Sequence, residues 1–295
     1  MNQLDWTQRW TLGRCTWQHR RALFDPQGHE VILIDRATAA SFVTKHHYSA
    51  SMPAARWSYA LVHRQSILGV MVYAHPVNDL CLTSLFGGQA IESVELSRLV
   101  LLNDVGFGAE SWAVARSFNA LRRLGLRGVL SHSDPNPRYT SDQRCIMPGH
   151  VGIVYQALSA TYVGPSRPRT VRLLPSGRVV NERTLQKIRA LERGYHGAIR
   201  QLVAAGAAEP GPDQDLRRWL DDQLAAITRR QRTVGVHRYA WALQRVLRPA
   251  TAPQPAVPVA ARGPRPTAVR APRCGASRLK KNAPGLLQSR LHGLL

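Results

Sequence analysis

Acidic residues, cysteines and long apolar runs are all scarce in this sequence. Its 295 residues include four cysteines (Cys15, Cys81, Cys145 and Cys274) and no CxxC pair, which argues against a zinc ribbon or a disulfide scaffold. No apolar run approaches the ~20 residues that a membrane-spanning helix needs. The first 14 residues also lack the apolar centre of a signal peptide. These absences predict a cytoplasmic protein without a membrane partner.

Common catalytic signatures are missing as well. The sequence has no GxxxxGK[ST], no GxSxG and no HExxH. The phosphate loop of nucleoside triphosphatases, the nucleophile elbow of hydrolases and the zinc helix of metalloproteases are therefore not expected.

Basic residues, in contrast, are abundant. The chain has 40 Lys and Arg against 18 Asp and Glu, which gives a formal net charge of +22. Such an excess attracts polyanions and releases their counterions, so nucleic acid is the expected partner. The alternative is a coding bias toward arginine with no bearing on partners.

The composition divides the chain into three regions. Residues 1–30 are interpreted as an N-terminal extension and residues 31–247 as the folded domain. Residues 248–295 carry nine Lys or Arg, eight Pro and no acidic residue. Because proline removes backbone donors and fixes φ, this region is predicted to be a disordered basic tail that tethers nucleic acid, or an inert extension.

Short apolar runs alternate with amphipathic segments through the folded domain. The pattern predicts strands at 30–35, 57–63, 67–74, 94–102, 127–134 and 234–243, and a hairpin across 170–181. Helices are predicted at 36–47, 107–124, 149–162, 185–202 and 216–227. This order indicates the α/β class, with a single mixed central sheet flanked by helices.

A pair of glycines, Gly106 and Gly108, lies between a predicted strand and the following helix. Glycines at a helix N-terminus free backbone N–H groups to bind a phosphate or a similar anion. They are therefore candidates for cofactor binding, and a plain turn is the alternative.

Two further groups could carry chemistry. His47 and Tyr48 follow the first predicted helix and could supply a base, a metal ligand or a stacking platform, or simply be an exposed helix end. Asp134 ends a strand and His150 precedes the next helix. An Asp–His pair at the edge of the sheet could orient a general base or bind a metal. The alternative is a capping aspartate and a surface histidine.

Taken in order, several segments resemble one known family. They are HHYSAS at 46–51, GVMVYAHP at 69–76, ELSRLVLLNDV at 95–105, SHSDP at 131–135 and GHVGIVYQALSATYVG at 149–164. The chain is similar to the phage Mom DNA-modification family across residues 31–245, and the hallmark positions are Asp134, Gly149, His150, Gly152, Tyr155, Tyr162 and Gly164. The chain departs from the family by inserting residues 137–148 and by placing Ala160-Thr161 where Asn-Trp is usual.

This resemblance implies a fold related to the GNAT-type N-acyltransferases and a transferase activity. It implies addition of a small carbamoyl-methyl-type group to adenine N6 in double-stranded phage DNA, inside the host cytoplasm, which protects that DNA from restriction. The site residues that it implies are His47, Tyr48, Arg98, Ser111, Asp134, His150 and Tyr155. Ser111 is expected to lie on the apolar stripe of its helix, and Glu95 is the alternative partner of Arg98.

Two other functions compete with this hypothesis. One is an acyl-CoA-dependent N-acyltransferase that acts on a protein or a small amine, and the other is a non-catalytic basic DNA-binding protein. The cofactor is open between an acyl-CoA-like donor and a metal ion. His47, Tyr48, Asp134 and His150 could together supply nitrogen and oxygen ligands to iron or zinc.

Overall fold

The computed structural model describes residues 6–11, 14–76 and 78–244, and the predicted tail lies outside them. The strands are β1 (Trp6–Thr11), β2 (Arg14–His19), β3 (His29–Ile34), β4 (Ala55–His63), β5 (Ser66–Ala74), β6 (Ser93–Leu101), β7 (Gly128–Ser133), β8 (Arg138–Tyr139), β9 (Cys145–Met147), β10 (Thr161–Pro165), β11 (Arg169–Leu173), β12 (Arg229–Thr233) and β13 (His237–Ala242). The helices are α1 (Arg36–His46), α2 (Leu80–Phe86), α3 (Ala109–Arg123), α4 (Ile153–Ala157), α5 (Glu182–Arg189), α6 (Tyr195–Val203) and α7 (Leu216–Ile227). Across these residues, no helix combines the length and the apolar character needed to cross a membrane.

Seven strands form one central sheet in the order β10-β13-β7-β6-β5-β4-β3. Every neighbouring pair is antiparallel except β6 and β7, which are parallel and joined through α3. Three separate two-stranded sheets, β1-β2, β8-β9 and β11-β12, surround it. The prediction of an α/β fold with a mixed central sheet flanked by helices is confirmed.

Strand β5 is buried on both faces of the sheet. Met71 and Tyr73 belong to the core that includes α3, whereas Val70 and Val72 belong to the core that includes α1. Since successive side chains of a strand point to opposite faces, one apolar run supplies both cores. The sheet therefore lies between α1 and α3.

Local signals fix the ends of these two helices. The Asp35 carboxylate accepts hydrogen bonds from the backbone N–H groups of Ala37 and Thr38, at 2.8 and 2.9 Å, and so caps α1. Helix α3 ends before Gly125, whose φ of 83° is the left-handed conformation that glycine adopts freely. The helix predicted over 107–124 matches α3 to within two residues at its N-terminus and one at its C-terminus.

A helical lobe is inserted between β10 and β13. Helices α5, α6 and α7 pack around their own apolar core, which includes Leu185, Leu202 and Trp219. The single helix predicted over 185–202 is wrong, because the chain breaks into α5 and α6 at Leu191 and Gly194, which have φ values of 52° and 88°.

Two more local predictions are wrong. The helix predicted over 149–162 is reduced to α4, because Gly149 and Gly152 adopt positive φ and the segment after α4 joins the sheet as β10. The hairpin predicted across 170–181 is only a bridge between Leu173 and Val179, and the full partner of β11 is β12, far along the chain.

Strands β6 and β7 are paired over only part of their lengths. Their register runs from Ser93 opposite Gly128 to Leu96 opposite Ser131. Beyond Leu96, β6 continues to Leu101 on β5 alone, while the end of β7 is paired with β13. The two strands therefore separate toward their C-terminal ends, which leaves an opening between them in the middle of the sheet.

Candidate functional site

Six of the predicted site residues converge where β6 and β7 part, and we call this group the crevice: His47, Tyr48, Arg98, Asp134, His150 and Tyr155. The backbone N–H of His150 donates to the carbonyl oxygen of Asp134 at 2.9 Å. The pKa of Tyr48 responds to the charges of Arg98 and Asp134, and that of His47 to Arg98 and His150. The end of α1, strand β6, the end of β7 and the start of α4 thus meet in one place.

Both crevice histidines are electrically neutral at neutral pH. Burial, together with the neighbouring Arg98 and His150, lowers the pKa of His47 to about 3. Burial likewise lowers the pKa of His150 to about 4, although the Asp134 carboxylate acts in the opposite direction. The Ser49 backbone N–H donates to Nδ1 of His47 at 3.1 Å, so the ring proton of His47 is on Nε2.

The two crevice tyrosines remain protonated phenols. Burial raises the pKa of Tyr48, and it raises that of Tyr155 to about 12. The ring of Tyr48 lies against the ring of His47, with centroids 4.2 Å apart, and meets the edge of Trp10 at 6.4 Å. Tyr48 thus presents an aromatic surface that is partly covered by Trp10 of the β1–β2 pair, which we call the N-terminal hairpin.

Asp134 is held as an anion by its own loop. Burial alone would raise the pKa of this carboxyl, but hydrogen bonds from Asn136 and the charge of Arg138 outweigh it and lower the pKa. Asn136 donates through its backbone N and its Nδ2, at 3.0 and 2.8 Å, and Arg138 forms an ion pair with the other oxygen.

Arg98 does not pair with Glu95, its expected alternative partner. Its guanidinium donates to the carbonyl oxygen and the hydroxyl of Ser51, at 3.0 and 3.2 Å, and to the carbonyl oxygen of Ser97 at 2.6 Å. Glu95 instead lies 3.5 Å from Nδ1 of His132. Arg98 therefore joins β6 to the segment just after Tyr48 and positions the end of α1.

Sequence reasoning missed Asn136 and Arg138. The insertion 137–148 forms the small sheet β8-β9, and Arg138 in β8 reaches back to Asp134. A spacing of four residues between an acidic and a basic residue indicates a pair only on a helix, and Asp134 and Arg138 lie in a loop and in β8, so the sequence held no usable signal for this pair. Despite the insertion, His150 stays hydrogen-bonded to Asp134.

Gly106, Gly108 and Ser111 lie apart from the crevice. A Cβ on Gly106 would come within 2.5 Å of the Leu23 backbone, so the glycine permits close contact with the N-terminal segment. The Ser111 hydroxyl donates to the Gly108 carbonyl at 2.9 Å, and both residues line an open pocket of about 430 Å³ beside Trp112. Ser111 is half-buried, and the stripe of α3 that packs on the sheet is formed by Ala109, Ala113, Val114, Ser117, Phe118 and Leu121.

The loop before α3 is also engaged by Arg9 of β1. The Arg9 guanidinium forms two hydrogen bonds with the Glu110 carboxylate, at 2.6 and 3.0 Å. It also donates to the carbonyl oxygens of Leu102, Val105 and Gly106. Residues 6–11, which were predicted to belong to an extension, are thus docked on the domain.

The predicted metal ligands lie together in the crevice, where Arg138 already neutralises Asp134. Within residues 6–11, 14–76 and 78–244, no group of three or more His, Cys, Asp or Glu side chains is placed to hold a metal ion. Iron or zinc binding stays a prediction.

Solved structures similar to this chain are N-acetyltransferases. A polyamine N-acetyltransferase from Drosophila melanogaster is 10% identical, with 72% of this chain and 99% of that chain covered and a TM-score of 0.34. A tandem GNAT protein from the clavulanic acid biosynthesis pathway is 8% identical, with 74% and 99% covered and a TM-score of 0.38. An N-acetyltransferase from Staphylococcus aureus Mu50 is 10% identical, with 64% and 68% covered and a TM-score of 0.30.

No curated protein matches the chain in sequence. A model of one protein family does match, and it covers residues 29–255, which include the whole central sheet, the helical lobe and every crevice residue. The matched region agrees closely with residues 31–245, over which the sequence motifs resemble this family. The chain therefore belongs to the Mom protein family.

Proposed function

We propose that this protein is a transferase that adds a small carbamoyl-methyl-type group to N6 of adenine in double-stranded DNA. The observation that carries the proposal is the convergence of His47, Tyr48, Arg98, Asp134 and His150 in one crevice of a Mom-family chain. In phage DNA such a group would block recognition by host restriction nucleases. The reaction would take place in the host cytoplasm.

The substrate sets two demands on the site. The lone pair of adenine N6 is delocalised into the ring, so N6 is a weak nucleophile, and in a duplex it is also paired and stacked. An enzyme that acts there is expected to flip the base out, at a cost of a few kcal/mol. Base–aromatic stacking recovers about 1–3 kcal/mol, and the exposed part of Tyr48 offers such a surface at the crevice.

The crevice also offers a proton acceptor. In a displacement on an activated carbamoylmethyl donor, a C–N6 bond forms, the bond from that carbon to its leaving group breaks, and N6 loses one proton. His150 is uncharged at pH 7, so it is available as the proton acceptor, and the Asp134 carboxylate raises its basicity against the effect of burial. The resulting imidazolium would be stabilised by the Asp134 carboxylate, which already interacts with His150.

Nucleoside mass spectrometry tests this proposal. DNA from cells that express the wild-type protein should yield a deoxyadenosine heavier by the transferred group. The His150→Gln variant should yield none, whereas His196→Gln, which changes an exposed histidine of the helical lobe, should behave as wild type. An unaltered nucleoside profile from folded wild-type protein would refute the proposal.

A further inference from the structure

The ribbon formed by β11 and β12 is the most densely basic element among the described residues. Its two strands contain five arginines in ten residues and no acidic residue. The strands are antiparallel, with Arg169 opposite Thr233 and Leu173 opposite Arg229. This ribbon takes no part in the crevice chemistry described above.

One face of the ribbon packs on the domain. Leu173 and Thr233 are buried on this face. The Gln231 side chain donates to the carbonyl oxygen of Pro137 at 3.0 Å, and Arg229 donates to that of Tyr139 at 2.9 Å. Because side chains alternate along a strand, the remaining residues point away from the domain. We call these residues the outer ribbon face: Thr170, Arg172, Arg230 and Arg232.

The charges of the outer ribbon face are not compensated by the protein. Arg172 is directly opposite Arg230, and like charges in that position destabilise a sheet. In the described part of the chain, no arginine of this face forms an ion pair. Arg172 makes one long hydrogen bond, to the Thr228 hydroxyl at 3.4 Å, while Arg230 and Arg232 are exposed. A polyanion would therefore relieve a repulsion built into the fold.

The side chain of Asn136 connects the ribbon directly to Asp134 of the crevice. Asn136, which donates to the Asp134 carboxylate, also donates to the carbonyl oxygen of Val234 at 3.0 Å. Its Oδ1 accepts from the backbone N–H of Val234 at 2.8 Å. Val234 directly follows β12, so the ribbon and the loop of Asp134 are held in a fixed relation. A polymer bound on the ribbon would therefore be held at a fixed position relative to the crevice.

We propose that the outer ribbon face binds the phosphate backbone of duplex DNA beside the target adenine. This inference rests on the proposed function for the position of the adenine. The arginine guanidinium matches phosphate oxygens with paired donors, and the three arginines of this face lie on two adjacent strands of one ribbon. Contacts between arginine and phosphate fix the position and orientation of the DNA and carry no sequence information directly.

The test compares two variants of the full chain that lose equal charge. The ribbon variant is Arg172→Gln/Arg230→Gln/Arg232→Gln. The control is Arg21→Gln/Arg36→Gln/Arg123→Gln, which changes three exposed arginines outside the ribbon. Affinity for a duplex oligonucleotide is measured by fluorescence anisotropy over a range of salt concentrations. If each arginine contacts one phosphate, the ribbon variant should lose about 2.7 from the log–log salt slope and on the order of 100-fold in affinity near physiological salt.

The ribbon variant is expected to fold, since it removes the repulsion between Arg172 and Arg230, and its melting temperature should equal or exceed that of wild type. If it does not fold, Arg230→Gln alone should reduce the slope by about 0.9. Equal slopes and affinities for the ribbon and control variants would overturn this assignment, even if wild-type protein modifies adenine. Ribbon-dependent binding by a protein that leaves the nucleosides unaltered would support the ribbon and overturn the proposed function.

Discussion

The docking of the N-terminal hairpin through Arg9 leads to a quantitative prediction of stability. The side chains of Arg9 and Glu110 are only 3% and 16% exposed, so their charges interact away from water. An Arg9→Met substitution keeps the apolar stem but leaves Glu110 and the carbonyls of Leu102 and Gly106 without their donor. Removing one partner of a buried ion pair costs about 3–5 kcal/mol, so the melting temperature should fall by roughly 6–20 °C for a domain of this size.

Thermal and urea unfolding of Arg9→Met, Glu110→Gln and the double variant would measure this effect. The double variant should be more stable than Arg9→Met alone, because no charge is then left buried and unpaired. The control is Arg183→Met, whose partner Glu192 is 29% exposed while Arg183 itself is 56% exposed. That change should cost about 0–1 kcal/mol. If Arg9→Met is as mild as the control, the hairpin is not held on the domain by this pair and the reasoning fails.

Two further predictions concern pH and salt. The folded-state pKa values of His47 and His150 lie near 3 and 4, below the unfolded value of about 6.5. The contribution of these histidines to the free energy of unfolding should therefore be constant above about pH 6.5 and should fall as the pH drops toward 4. Melting curves recorded over this pH range should show the loss of stability, with on the order of 3 kcal/mol from His150. The His150→Gln variant should lose less stability over the same range. A pH dependence that this variant leaves unchanged would contradict the assignment. Deleting residues 248–295, which carry nine positive charges, should lower the log–log salt slope of DNA binding by about four if half of them contact phosphates. An identical slope without the tail would show that it takes no part in binding.

Apolar periodicity was enough to locate the elements that depend on neighbouring residues. Helix α3 and the β4–β5 hairpin are encoded by contiguous patterns, and both were predicted nearly to the residue. The pairing of β11 with β12 could not be predicted in this way, because the helical lobe separates the two strands and no local signal links them. The helix predicted over 149–162 failed for another reason. Gly149 and Gly152 adopt left-handed conformations that a periodicity of apolar residues does not reveal.

The candidate site shows the same division between local and distant information. His47, Tyr48, Asp134 and His150 stood out through their residue types and their places at the ends of elements. Convergence of these four required the topology of the sheet, which the family resemblance implied and the parallel β6–β7 pair provides. Asn136 was missed because it joins its near neighbour Asp134 to Val234, which lies 98 residues away in sequence.

The position of β13 has a consequence for how the chain folds during synthesis. This strand lies between β7 and β10 in the sheet, yet it follows the whole helical lobe in sequence. It is translated roughly 100 residues after β7, which at about 5–20 residues per second leaves the edge of β7 unpaired for on the order of 5–20 s. An open strand edge is a template for pairing with another chain. The nascent protein is thus most exposed to aggregation while the ribosome is translating the helical lobe, and insertion of β13 ends that interval.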